Sequence, residues 1–241
     1  MKFENENEFE EAIIHKLTEI DNQWSKAVLA YKNEDFLIDN WSNILFKNNN
    51  TSNRLNGFPL TETEKRQLIN YINNHNTPFE INKLLNDKFI PLVRDNPNDK
   101  QHKDTTIYLF IFDKEEIAAG RSVYQIVRQP KFKVSNDILG ERRGDLTLLI
   151  NGLPLIHIEL KRTNIPVSRA VNQIEKYSKH GVFTGLFSFV QVFVAMNPEE
   201  TIYFANPGIN KYFNPDYQFH WGDFNNNPIN DWEDIASTFL S

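Results

Sequence analysis

Phe9, Ile13, Leu17 and Ile20 recur at the spacing of one helical face, which predicts an amphipathic helix over 5–20. A further mixed helical stretch is expected over 22–46, and the polar run from Lys47 to Gly57 reads as a loop. Thr61-Glu62-Thr63-Glu64 has the order of a capping box and opens a helix expected to end near Asn74. Residues 75–104 read as a short helix and a loop around Asn96-Pro97-Asn98. From Ile107 the pattern changes to short apolar runs, with strands expected near 107–112, 122–130, 145–150, 155–161, 189–195 and 201–204. Among them lies a helix at 169–180, with Ser168 as its N-cap, Gly181 as its stop, and Ala170, Val171 and Ile174 on its buried side. After Asn206, three prolines interspersed with Trp221, Phe224 and Trp232 predict irregular packing against the core, closed by a short helix at 231–240.

The segment from Gly144 to Lys161 departs from this simple alternation. It reads as one strand, a tight turn at Asn151-Gly152, and a second strand ending in Glu-x-Lys. Side chains alternate along a strand, so Leu155, His157, Glu159 and Lys161 share one face, while Ile156, Ile158 and Leu160 share the other, the core face. Pairing through the turn brings Asp145 near Glu159. Two carboxylates offer hard oxygen ligands to Mg²⁺, the Leu160 carbonyl between Glu159 and Lys161 offers a third oxygen, and the Lys161 ammonium suits a phosphate or an attacking water. A surface ion pair on an edge strand fits the same tripeptide equally well. His157 has no second His at ligand spacing and reads as a satisfied core or supporting histidine. Glu10 is either a solvated residue of the first helical turn or a weak metal candidate, and Glu11 is a weaker one. Gln173 and Tyr177 stand four apart on one helix face, where the pattern alone makes Tyr177 a core residue.

With 241 residues and 40% hydrophobic content, the chain can hold one α/β domain, or one with an added lobe. The absence of Cys excludes thiolate zinc sites and disulfides. No apolar run is long enough to span a membrane and the polar start lacks a signal-peptide core, so the expected compartment is the cytoplasm. The net charge of −6 argues against a nucleic-acid partner until it is divided. Residues 121–180 hold eleven Lys or Arg against five Asp or Glu, and the rest of the chain holds fifteen against twenty-seven. This basic segment coincides with the Asp–Glu–Lys segment, and a basic stripe on an acidic body suffices for local docking to DNA. Arg142, Arg143, Arg162, Arg169 and Lys179 are the candidate phosphate contacts, although each taken singly also reads as a solvated surface charge.

Arg143-Gly144-Asp145, the Asn151-Gly-Leu-Pro-Leu155 turn and Ile158-Glu-Leu-Lys161-Arg162 resemble the amino-terminal endonuclease domain of type I restriction enzyme R subunits. The resemblance continues through Ala170–Lys179, Phe189–Asn197 and Thr201–Asn206, is nearly continuous from Ile107 to Asn206, and is weaker at Phe9–Ile14. It implies the α/β core of the PD-(D/E)xK nucleases: a restriction-endonuclease-like mixed sheet flanked by helices, here with an N-terminal helical portion. Asp145 and Glu159 match that family's metal-binding carboxylates and Lys161 its catalytic lysine. Gln173 and Tyr177 match a Gln-x-x-x-Tyr motif shared with nucleases of the RecB type, and Glu10 matches an acidic residue of the first helix. Gly144 departs from the broad nuclease signature, which has Pro there.

The implied organisation is a helical portion over 1–104 packing on the core, a nuclease core over 105–206, and an extension over 207–241 leading toward a motor domain. The implied function is Mg²⁺-dependent endonuclease cleavage of duplex DNA without sequence preference, with Mn²⁺ as a substitute ion. The implied partners are methylase and specificity subunits and an ATP-driven translocase on the same polypeptide. No Gly-x-x-x-x-Gly-Lys-Ser/Thr loop occurs, so ATP belongs to the motor and the chain reads as the nuclease domain of a longer protein. A stand-alone repair nuclease of the RecB type and a non-catalytic docking module are the alternatives.

Overall fold

The computed structural model describes residues 2–19, 23–75, 77–86, 89–112, 120, 122–132, 142–208 and 211–241. Six strands form one mixed sheet, in the order β1 (Leu29–Ala30), β4 (Tyr124–Arg128), β7 (Leu146–Ile150), β8 (Leu153–Leu160), β9 (Val192–Asn197) and β10 (Glu200–Ala205). β1 runs parallel to β4 and β8 parallel to β9, while the other neighbours are antiparallel. The parallel β8–β9 pair requires a crossover, which helix α5 (Ser168–Lys179) supplies. Two strand pairs stand apart from the main sheet: β2 (Ile90–Val93) with β3 (Thr106–Leu109), and β5 (Lys131–Phe132) with β6 (Arg142–Arg143).

Both faces of the main sheet are covered. On one side α1 (Glu6–Leu17) and α6 (Trp232–Thr238) bring Phe9, Ile13, Leu17, Trp232 and Ile235 onto Ile126, Leu146, Leu148, Ile158, Leu160 and Val194. On the other, α2 (Glu34–Asn49), α3 (Glu62–Asn73), α4 (Pro78–Asn86), α5 and the β2–β3 pair build a larger core with Val127, Leu149, Phe193 and Ala195. This is the restriction-endonuclease-like α/β arrangement expected from the sequence, with six α-helices among the described residues. None of those helices is long and apolar enough to cross a membrane.

Local chemistry accounts for most boundaries. Asn5 and Asn33 accept backbone N–H groups at the starts of α1 and α2, and Thr61 and Glu64 form the expected reciprocal capping box of α3. At the β7–β8 turn, Asn151 and Gly152 take φ of 51° and 82°, the paired left-handed conformation that favours Asn-Gly in a two-residue hairpin.

Several expectations are corrected. α1 ends at Leu17; residues 20 and 22, where the first two helical stretches were expected to end and begin, lie outside the described residues. The stretch over 22–46 contains β1 before its helix, and α2 runs on to Asn49, into the expected loop. Asn49 is held there by distant partners, since its side chain bonds both the carbonyl and the N–H of Phe110 at 2.9 and 2.7 Å. Ser168 is the first residue of α5 rather than its cap, which is Val167, and no side chain caps that end. The strand expected over 189–195 begins later, because Gly185–Phe189 forms a 3₁₀ turn before β9. β3 pairs with β2 and not with the main sheet, so residues on both sides of position 104/105 share one small sheet, and β1 and α1 belong to the core layers. The described residues of the tail over 207–241 pack back as expected: Phe219 pairs with Tyr203, and the Trp24 indole donates to the Leu240 carbonyl at 2.5 Å.

Candidate active site

β7 and β8 carry the central residues. Leu146 pairs with Ile158, which sets Asp145 across from Glu159 at the end of the hairpin. Asp145 Oδ2 accepts the Leu160 N–H at 2.7 Å, so its carboxylate is tied to the strand that bears Glu159 and Lys161. β8 lies between β7 and β9, which excludes an edge-strand ion pair. Glu159 is fully buried and Lys161 nearly so. The polar face of β8 is therefore interior as well, unlike the half-solvated strand that alternation suggested.

The electrostatics follow from that burial. Loss of water pushes the Asp145 carboxyl well above the ordinary carboxylate range, and the neighbouring Glu159 charge adds to the shift. Burial likewise raises Glu159 to about 8, against the opposing pull of Lys161. Lys161 Nζ stands 3.6 Å from Glu159 Oε1, 3.2 Å from Glu6 Oε1 and 2.6 Å from the Leu160 carbonyl, to which it donates. Neither oxygen of Glu159 has a hydrogen-bond donor among the described residues. Buried carboxylate oxygens without donors are costly unless a cation or proton meets them. Among the described residues no three His, Asp or Glu side chains gather at metal-holding distances. A cation here would have Asp145, Glu159 and the Leu160 carbonyl as protein oxygens, a sparse set of the kind Mg²⁺ accepts when water and phosphate complete its shell.

Gln173 and Tyr177 on α5 act in series. The Gln173 amide donates to the Tyr177 hydroxyl at 2.6 Å, and that hydroxyl donates to the Arg143 carbonyl at 2.6 Å. The pair thus grips the backbone two residues before Asp145. Desolvation raises the Tyr177 phenol further above its usual value, which keeps it a donor.

Glu10 is buried on α1, where its carboxylate meets the Arg128 guanidinium and accepts from Gln129 Nε2 at 3.2 Å. Burial raises its carboxyl, with those two partners opposing. Glu6, one turn earlier, is the residue of α1 that reaches Lys161. Its helix position is visible in the sequence, four residues before Glu10, but nothing local marks which turn faces Lys161. Of the basic candidates, Arg143 and Arg162 are exposed and flank the Asp145 and Lys161 positions. Arg142 is half-buried and donates to His180 at 3.2 Å. Arg169 and Lys179 are exposed near opposite ends of α5, Lys179 paired with Glu175 at 2.8 Å. The remaining basic-segment positions 121 and 133–141 lie outside the described residues.

A mixed sheet with helices on both faces, bearing an Asp–Glu–Lys cluster with buried Glu159 and Lys161 at the end of its central hairpin, defines an α/β protein of the restriction-endonuclease-like class. The chain matches the family described as "Type I restriction enzyme R protein N terminus" over residues 3–211, and it belongs to that family. It is 37% identical over 212 residues to the "Type I restriction enzyme SsaAORF53P endonuclease subunit" of Staphylococcus saprophyticus, covering 88% of this chain and 21% of that protein. It is 32% identical over 240 residues to the "Type I restriction enzyme SauCOLORF180P endonuclease subunit" of Staphylococcus aureus, covering 100% and 23%. A third relative, the "Type I restriction enzyme EcoprrI endonuclease subunit" of Escherichia coli, is 30% identical over 169 residues, covering 64% and 53%. The chain thus spans between a fifth and a quarter of the two staphylococcal relatives.

Proposed function

We propose that this chain is the endonuclease domain of a type I restriction enzyme R subunit, hydrolysing phosphodiester bonds of duplex DNA in the cytoplasm with a divalent cation. What supports the reading is the fully buried Glu159 carboxylate, without a hydrogen-bond donor among the described residues, beside the half-buried Asp145 and a lysine. Asp145, Glu159 and the Leu160 carbonyl would hold Mg²⁺, or Mn²⁺ in its place. The bound ion supplies Lewis-acid charge at the phosphate and a more acidic water. Lys161, held by Glu6 and the Leu160 carbonyl, aims its ammonium into the same space and would steady the attacking water or a phosphate oxygen. That water's oxygen bonds to phosphorus as the bond to the departing sugar oxygen breaks.

Gln173 and Tyr177 position Asp145 through the Arg143 carbonyl, and Arg142, Arg143, Arg162, Arg169 and Lys179 contact the DNA backbone. Sequence choice, modification and ATP-driven translocation belong to the specificity and methylase subunits and to the rest of the R polypeptide. Calorimetric titration of Mn²⁺ tests the ion site. Glu159→Ala is expected to lose Mn²⁺ affinity relative to the unaltered protein, and unchanged affinity would refute the assignment.

A further inference from the structure

His157 is fully buried on β8, two residues before Glu159 and on the same face of the strand. Its Nδ1 lies 3.2 Å from the Thr147 hydroxyl across the β7–β8 pair. Its Nε2 has no hydrogen-bond partner among the described residues, which is also true of both oxygens of Glu159. These unpartnered atoms face each other, with Nε2 3.5 Å from Glu159 Oε2. That separation is about half an ångström beyond a good N–H···O bond, and polar contacts in ligand-free sites commonly tighten when the site fills.

The ring's place is built to hold it. Phe132, Phe183 and Phe193 surround it with ring centroids 5.6, 5.5 and 6.4 Å away. Gly144, the residue directly before Asp145, leaves the space the imidazole fills: a Cβ there would stand 2.4 Å from His157 Cε1 and 3.2 Å from Nε2. Thr147 is fully buried too, and the direction of its contact with Nδ1 follows the ring's tautomer: a hydroxyl that donates to Nδ1 requires the ring proton on Nε2.

We propose that His157 is a positioning residue for the cation site: with Nδ1 accepting from Thr147, it donates its Nε2–H to Glu159 Oε2 and fixes that carboxylate for a divalent ion. The inference rests on Asp145 and Glu159 being the ion's ligands. A histidine N–H fixing a carboxylate ligand acts as other outer partners of metal ligands do, where removal costs roughly 10–100-fold in affinity.

Two measurements on the protein decide the matter. Mn²⁺ is titrated calorimetrically into the unaltered protein, His157→Val and His157→Gln, with melting curves of the metal-free forms as the check on folding. The expected result is a loss of about 10–100-fold for His157→Val. His157→Gln, whose amide N–H reaches the Nε2 position, is expected to recover most of it. Nitrogen-15 spectra of the metal-free protein are expected to show the His157 ring proton on Nε2. Full Mn²⁺ affinity in a folded His157→Val protein overturns the inference. A ring proton on Nδ1, given instead to the neighbouring Leu146 carbonyl, overturns it as well. If His157→Val does not fold, the glutamine variant and the spectrum still decide. No Mn²⁺ binding by the unaltered protein would bring down the ion-site reading itself, and this inference with it.

Discussion

A single phenol ties α5 to the backbone that leads into Asp145. Tyr177→Phe keeps the ring packed among Phe132 and His157 but removes the donor to the Arg143 carbonyl. The expected stability cost is about 1 kcal/mol, read from melting curves. DNA cleavage in the assembled enzyme is expected to fall by more than that loss of folded protein explains. Equal cleavage by the variant would reduce Tyr177 to a core residue. The Asp–Glu–Lys trio was legible in the sequence from the hairpin and the family resemblance together, not from the turn alone. The turn's own register would set Asp145 across from Ile158, and a one-residue shift between Leu148 and Leu149 sets it across from Glu159. Glu6, Arg128 and Thr147 were not legible in that way. Glu6 reaches Lys161 only through the docking angle of α1 on the sheet, and Arg128 reaches Glu10 across 118 positions of chain. The Gly144 departure from the nuclease signature has its reason here too. A proline brings a Cβ, and the imidazole of His157 occupies that space.

At the next level, α3 and the β2–β3 pair are locked together by a buried charge network. Arg94, fully buried, donates to Glu64 Oε2 at 2.6 Å and to Asp99 Oδ2 at 3.0 Å, and caps the Phe58 and Leu55 carbonyls at 2.5 and 3.3 Å. Glu64 is at the same time the capping-box glutamate of α3 and accepts the Asp95 N–H at 2.8 Å. Removing the cation leaves two buried carboxylates without it, so Arg94→Ala is expected to destabilise the protein by about 3–5 kcal/mol in chemical denaturation. A cost under about 1 kcal/mol, the range of exposed pairs, would contradict the network's role. The capping box itself was readable from four consecutive residues. Its partner Arg94 was not, because thirty positions and a strand pair intervene. The same limit explains α2, whose last turn looks like loop in a polar run yet is held by the backbone of Phe110. The capping box at the start of α3 was legible, whereas the Asn33-capped start of α2 and the helix ends set by distant bonds were not.

For the whole molecule, the site makes stability depend on pH in a definite sense. Glu159, raised to about 8, favours the folded state below the ordinary carboxylate value, and that contribution is lost as pH rises through about 8. Asp145 shifts in the same direction. His157, lowered to about 4 by burial, acts oppositely: its cost is relieved as pH rises from about 4 to 6.5. Above 6.5 the carboxylates act alone. With chelator present, Tm is expected to fall between pH 6.5 and 8, and Glu159→Gln to reduce that slope, Asp145 supplying the remainder. An unchanged slope in the variant would contradict the assignment of the shift to Glu159.

Under the proposed function, the Asp145–Glu159–Lys161 cluster would carry out the scissile chemistry of a restriction complex. The most direct test of that role uses the full R subunit assembled with its methylase partner, comparing the unaltered protein with Asp145→Ala for plasmid cleavage and ATP hydrolysis in the same reactions. Cleavage is expected to be lost while ATP hydrolysis continues, with melting curves of Asp145→Ala as the check on folding. Cleavage that persists in Asp145→Ala would contradict that role and place the nuclease site elsewhere.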